Sequence, residues 1–242
     1  MPGDTQFLET ALASGLLELE VEVPADQQAA MLAYLLAVLR MNERLNLTRI
    51  VDPLGGVRLH LLDSAAAAPE LTLARAGRAI DIGSGGRFPG VPLAIVSGRS
   101  FTLLDSVGKK ALAVQGILDE LGKRVSAVAM SARAEEMART CSAGYSVAVA
   151  RAVAPLASLV ELASPLLLDE GRLIALKGRL SEAEMLSGLL AAEIVGMRMA
   201  SRRQLRLPGL AEHRTILVFE KVGPPKVALP RRTGLAQHQP LA

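Results

Sequence analysis

The chain reads as an α/β protein with a mostly parallel sheet, preceded by a helical segment. Two observations predict this. From residue 77 onward, short apolar runs of strand length alternate with longer segments of helical spacing. Such alternation implies a parallel sheet covered on both faces. Before it, residues 4–64 carry apolar positions at helical intervals. Leu32, Leu35, Leu36 and Leu39 recur at i, i+3, i+4 and i+7, the spacing of one buried helix face.

In the N-terminal part, Pro24 marks a helix start, and Asp52-Pro53 is a second, with the acid as N-cap and proline at the first helical position. Strands are expected at 78–83, 101–105, 124–129, 145–150 and 171–176, and helices at 90–97, 107–121, 133–139, 155–167 and 180–195. Two further strands, near 197–206 and 213–221, follow without a long helix between them. They can pair as a hairpin and make the last strand antiparallel. Residues 223–242 are rich in Pro and Arg and read as extended or mobile. The organisation expected is therefore a helical cap over 1–70, a sheet domain over 71–222 and a basic tail over 223–242.

The most informative stretch is Ala79 to Gly90. A buried strand carries an acid, Asp81, and leads into the turn Gly83-Ser84-Gly85-Gly86. The next strand, Phe101 to Asp105, also ends in an acid. Glycines let backbone approach a ligand closely, and an acid at the second strand end can accept hydrogen bonds from ribose hydroxyls. A dinucleotide fingerprint needs glycine where Phe88 stands, and Pro89 delays the helix to near Gly90. The wide loop suits a nucleoside cofactor without phosphates, such as S-adenosylmethionine. In an open α/β sheet the ligand crevice lies beyond the carboxyl ends of the strands. That places Gly83 to Phe88, Asp105-Ser106, Arg133-Ala134-Glu135, Arg151 and Lys177 at the crevice.

Composition narrows the class further. Half of the 242 residues are hydrophobic but only 2% are aromatic, so the core must be aliphatic. The longest apolar run, Ala29 to Leu39, is shorter than the roughly 20 residues a membrane span needs. Residues 1–39 hold no Lys or Arg, so no basic region of a signal peptide is present, and a cytoplasmic location is expected. The single Cys141 fits a reducing compartment. Net charge is +3, yet the first 39 residues carry six acids, whereas nine Lys and Arg against two acids follow Gly196. A basic end suggests a polyanionic partner.

At these residues the chain resembles the RsmG (GidB) family of class I methyltransferases. The matching pieces are Asn46 to Ile50, His60 to Ser64, Asp81 to Gly90, Leu103 to Ser106 with Lys109-Lys110, Arg133 to Glu136, Ala150 to Ala152, Leu176 to Gly178, and Pro230-Arg231-Arg232-x-Gly. The resemblance implies S-adenosylmethionine as cofactor and methylation of guanine N7, at guanine 527, in 16S rRNA, presented free, in the small ribosomal subunit or in its precursor. It implies cofactor contacts at Gly83, Phe88, Ala134, Glu135 and Arg151, with Gly85 in the turn and Asp105-Ser106 near the ribose. The chain departs from the family at Arg87, where glycine is usual, and at Ala236 and His238, where Pro and Lys are common.

The residues support the same reaction. Guanine N7 is an unprotonated acceptor, so its methylation needs proximity and alignment rather than a general base. Cys141 lies in an expected loop and reads as inert, which disfavours pyrimidine C5 chemistry. After the fourth strand stands Arg151-Ala152-Val153-Ala154-Pro155, without the acid and aromatic typical of amine methylation. Arg151 is placed to hold the methionine carboxylate through its two-pronged guanidinium. His60, followed by Asp63 and Ser64, reads as a structural hydrogen-bonding centre. Phe88 is the one aromatic in the cofactor loop, and Arg planes can replace missing rings in holding a base. Lys109 and Lys110 open a helix toward the crevice, with Lys109 a positioning candidate beside Arg151. Together with Lys226, Arg231 and Arg232 of the tail they are the expected RNA contacts. No His/Cys cluster suggests a metal, and a monomer is expected. Two rivals stay open: a ribose 2′-O-methyltransferase, for which Lys177 is the one well-placed member of the catalytic set, and a cofactor-binding RNA chaperone.

Overall fold

The computed structural model describes residues 2–242 except Ser84, Gly85, Arg87, Ser142, Ala152, Val153 and Glu212, with side chains from residue 5. Gly85 and Arg87, expected in the cofactor turn, thus lie outside the described residues.

Helices α1 (Pro2–Glu18) and α2 (Ala25–Leu45) open the chain. Proline at 24 stands just before α2, and Asn46 closes it in the left-handed conformation that Asn tolerates. One face of α2 buries Met31, Tyr34, Leu35, Val38 and Asn42 at helical spacing. Asp52 caps α3 (Pro53–Gly56) by accepting from the Gly55 amide at 2.6 Å. The chain then forms a π-helix over Val57–Leu62, followed by α4 (Asp63–Ala65) and α5 (Ala68–Thr72). The sequence pattern contains no sign of the π turn; such bulges gather at functional sites.

The sheet comprises β1 (Ala79–Ile82), β2 (Phe101–Asp105), β3 (Ala127–Ser131), β4 (Tyr145–Arg151), β5 (Leu167–Lys177), β6 (Met197–Arg206) and β7 (His213–Lys221). Its order is β3-β2-β1-β4-β5-β7-β6. Pairings are parallel from β3 to β5, and β7 runs antiparallel between β5 and β6. The expected hairpin forms, with β7 inserted so that β6 becomes the edge. Connecting helices are α6 (Gly90–Ser97), α7 (Gly108–Leu121), α8 (Ala134–Thr140), α9 (Leu156–Ala163) and α10 (Glu182–Ile194). Among the described residues no helix is long and apolar enough to cross a membrane.

Strand alternation sorts side chains onto two cores. Along β4, Val147 and Val149 join the core beneath α1, α2, α6 and α7, while Ala148 and Ala150 face the core under α8, α9 and α10. The order switches between β1 and β4, the place where such sheets open a ligand crevice. The tail differs from the mobile segment expected. It packs as a strap, with Leu229 and Leu241 against the second core, Ala236 buried, and a short helix α11 (Leu235–His238). The physical reason is that its charges meet partners the sequence could not show: Arg231 forks onto Glu161 at 2.6 Å to each oxygen, and Lys226 pairs with Glu193.

Candidate active site

β1 leaves the sheet through Gly83, whose φ of 70° suits glycine and whose amide extends the ladder by donating to Leu104. Asp81 turns back to the helix side, and its Oδ2 accepts from the Gly90 amide at 2.9 Å. That bond fixes where α6 begins. At the end of β2, Asp105 Oδ1 accepts from the Val107 amide at 2.8 Å, turning the chain into α7.

These turns leave a crevice lined by Gly83, Asp105, Ser106, Ala134, Glu135 and, from the tail, Gln237. Its volume is about 60 Å³. The structure therefore brings together most of the expected cofactor contacts. Glu135 is buried, and its Oε1 accepts from the Gly234 amide of the strap at 2.7 Å. A carboxylate at the second strand end, a glycine turn beneath it and a narrow slot roofed by the strap suit the nucleoside end of a cofactor.

Arg151 and Phe88 lie elsewhere: Arg151 lines a second cavity, and Phe88 is buried behind His60. Arg151 donates to the Leu59 carbonyl at 2.7 Å, to Asp63 Oδ2 at 3.0 Å and to His60 Nδ1 at 3.0 Å. Three of its five N–H donors are engaged, so the free two-pronged guanidinium expected from sequence is partly committed to the π-helix. His60 Nδ1 accepts, so Nε2 carries the proton and donates to Thr48 Oγ1 at 2.7 Å. Burial first, then the Arg151 charge, push the His60 pKa down to about 3. The imidazole is neutral and fully bonded, which agrees with a structural centre and removes it as a base. Its ring stacks on Phe88 at 4.2 Å, while Tyr34 meets Phe88 edge-on at 5.4 Å. Phe88 is only 1% exposed, so it is not open to stack a base, contrary to the role its place in the loop suggested.

This second cavity, about 520 Å³, is lined by His60, Asp63, Arg151, Lys177, Arg179, Glu184 and Arg214 among others. Among its described lining residues both carboxylates are paired: Asp63 with Arg151 and Arg214, and Glu184 with Lys177 at 2.7 Å. Arg179 and Arg214 were not singled out from sequence. Arg214 enters only because β7 is inserted beside β5, which no local pattern shows.

Of the expected RNA contacts, Lys109 is exposed on α7 beside the crevice, Lys110 is half-buried and Arg232 is exposed. Arg231 is a correction: its side chain is committed to Glu161, itself only 3% exposed, and to the Gln239 carbonyl. Lys226 is exposed but holds Glu193. Exposed cations that the sequence did not single out include Arg198, Arg202 and Arg206 on the edge strand β6. Strand alternation could have placed Arg202 and Arg206 on one face. Among the described residues no group of His, Cys, Asp and Glu is arranged to hold a metal.

The sheet order, the glycine turn and the acid at the end of β2 define a class I S-adenosylmethionine-dependent methyltransferase. Solved structures share this fold: a candidate sarcosine dimethylglycine methyltransferase from Galdieria sulphuraria superposes with a TM-score of 0.50 at 10% identity, over 66% of this chain and 85% of its own. Within the class, the model of the family described as rRNA small subunit methyltransferase G (GidB) matches residues 27–208, and the chain belongs to that family. Among its relatives, the ribosomal RNA small subunit methyltransferase G of Methylococcus capsulatus is 39% identical over 88% of this chain and 98% of its own. That of Deinococcus radiodurans is 40% identical over 86% and 84%. That of Chloroflexus aggregans is 34% identical over the full length of both.

Proposed function

We propose that the chain methylates N7 of a guanine in 16S rRNA, guanine 527 by family resemblance. The observation that carries this is the second cavity. It is of ligand size, rich in cations, and among its described lining residues both carboxylates are ion-paired while the histidine is held neutral with both nitrogens bonded. Such a wall can grip an anionic nucleic acid but offers no ready proton acceptor. Guanine N7 is already a lone pair and needs none. Its O6 can accept from an arginine while the N7 lone pair stays free to attack the methyl group, and Arg179 and Arg214 are the candidates. A ribose hydroxyl, by contrast, must lose a proton, and Lys177 is tied to Glu184.

The crevice of Gly83, Asp105, Ser106, Ala134 and Glu135 would hold S-adenosylmethionine, with Asp105 accepting from the ribose. The cofactor supplies an electrophilic methyl group on a sulfonium. Arg151 lines the cavity, and among the described residues its Nε–H and one Nη2–H are left to meet the methionine carboxylate. On the outside, Lys109, Arg202 and Arg206 meet RNA phosphates.

The test is transfer of labelled methyl to rRNA and to small subunits. The expected product carries label at one guanine and becomes cleavable there after borohydride and aniline treatment. Label on a ribose, stable to that treatment, would establish the 2′-O reading instead. A protein that binds rRNA and cofactor but transfers no label is the chaperone of the third reading.

A further inference from the structure

The strap after β7 crosses the mouth of the nucleoside crevice, and its path is fixed at two ends. At one, Arg231 forks onto Glu161, while Arg139 donates to the Arg231 carbonyl at 3.1 Å and to Thr233 Oγ1 at 3.2 Å. At the other, Ser187 Oγ donates to the Ala242 carbonyl at 2.7 Å. Between these anchors the contacts are of another kind. Gly234, in the left-handed region at φ 87°, donates to Glu135 Oε1. Three residues on, Gln237 lines the crevice beside Gly83, Asp105 and Glu135, with Arg133 Nη1 reaching its Oε1 at 3.5 Å. The strap thus bonds to two neighbouring residues, Arg133 and Glu135, that themselves form the crevice wall.

Size adds a second observation. The crevice holds about 60 Å³, against the 300 Å³ or more of ordinary small-molecule sites. Its inner walls are strand ends and the buried start of α8, which cannot give way without disturbing the core. The exposed Gln237 is the wall that can move.

We propose that Gln237 is a cofactor-binding residue: with Ala236 held in the core, the exposed Gln237 side chain swings outward to admit S-adenosylmethionine and closes so that its amide meets the adenine edge. A carboxamide offers one donor and one acceptor side by side, the complement of the donor and acceptor that adenine presents. The bond from Gly234 to Glu135 and the Arg231–Glu161 fork hold the strap in place beneath it. This rests on the reading that the crevice takes the nucleoside end of the cofactor.

The test uses the full-length protein and S-adenosylhomocysteine, with binding by calorimetry and amide hydrogen exchange over residues 229–242. The ligand should slow exchange at 234–239. Gln237→Ala should bind about two- to tenfold more weakly, the effect of one lost hydrogen bond, with an unchanged melting temperature of the free protein. The variant should also lose part of the wild-type preference over the hypoxanthine analogue, which lacks the adenine amino group. Asp105→Asn reports on the crevice itself. If it weakens binding while Gln237→Ala does not and the strap's exchange is unmoved by ligand, the role of Gln237 is refuted and the crevice stands. If Asp105→Asn binds as the wild type does, the crevice is misassigned and the inference falls with it.

Discussion

Arg231→Ala separates the strap from the RNA tail that the sequence suggested. Glu161 is 3% exposed and Arg231 is 20% exposed, with both guanidinium prongs 2.6 Å from the carboxylate. The Glu161 charge keeps the Arg231 pKa raised, first through their hydrogen bond. Removing the guanidinium leaves a buried carboxylate unpaired, which costs about 3–5 kcal/mol. For a protein of this size 1 kcal/mol shifts the melting temperature by about 2–4 °C, so a fall of roughly 10 °C is expected by calorimetry. Glu161→Gln removes the charge that is left stranded. In that background Arg231→Ala should cost markedly less, a coupling of the size seen for residues in direct contact. The salt dependence of rRNA binding should stay the same. An unchanged melting temperature with a flattened salt slope would refute the reasoning and return Arg231 to the RNA.

His60 sets a pH dependence. Unfolded, it titrates near 6.5, and folded near 3. Between these values the unfolded chain binds the extra proton, so its contribution is intact above pH 6.5 and declines as pH falls toward 3. From pH 7.5 to 5.0 the loss is about 2 kcal/mol at about 1.4 kcal/mol per unit, and His60→Gln should flatten that part of a melting-temperature profile; an equal slope in the variant removes His60 as its source. At Gly90 an added Cβ would lie 2.5 Å from Asp81 Oδ2 and 2.6 Å from Leu103 Cδ2. Gly90→Ala should therefore destabilise by about 1–3 kcal/mol in urea titration, and a wild-type midpoint would show that β1 and α6 have slack. Arg202→Ala with Arg206→Ala should lower the slope of log affinity for rRNA against log salt by about 1.4 and leave stability within about 1 kcal/mol; an unmoved slope would exclude the β6 edge from the RNA path.

Local pattern placed most elements but not all of their bounds: the strand expected at 124–129 runs Ala127–Ser131, that expected at 171–176 runs Leu167–Lys177, the helix expected at 155–167 ends at Ala163, and the π turn was missed. β2, β6 and β7 begin and end where alternation and flanking turns place them, and α6 starts at Gly90 because Pro89 forbids an earlier start and Asp81 accepts its amide. The nucleoside crevice was legible for the same reason, since Gly83, Asp105-Ser106 and Ala134-Glu135 lie at or soon after strand ends, whereas Gln237 of the tail gave no such signal. The second cavity was not. Asp63 binds Arg214 across 151 positions of sequence, and that meeting depends on β7 entering between β5 and β6. Arg231 misled because a cation in a Pro-rich stretch looks solvated until the fold brings up Glu161. Phe88 misled because a loop position gave no hint of His60 on its face.

Asp63 binds one arginine from β4 and another from β7 while itself standing just after the π-helix. Val57, Leu61, Leu62, Ala65 and Ala66 lie in one core with Val149, Ile174, Leu176 and Ile216. Residues 57–66 are thus cladding for the β4–β5–β7 half of the sheet, while α2 packs toward α6 and α7. A chain cut to begin at 71 would leave Arg151 and Arg214 facing each other without their shared counter-charge, over a stripped aliphatic surface. Such a fragment would gather on itself in solution rather than stand as a smaller working enzyme.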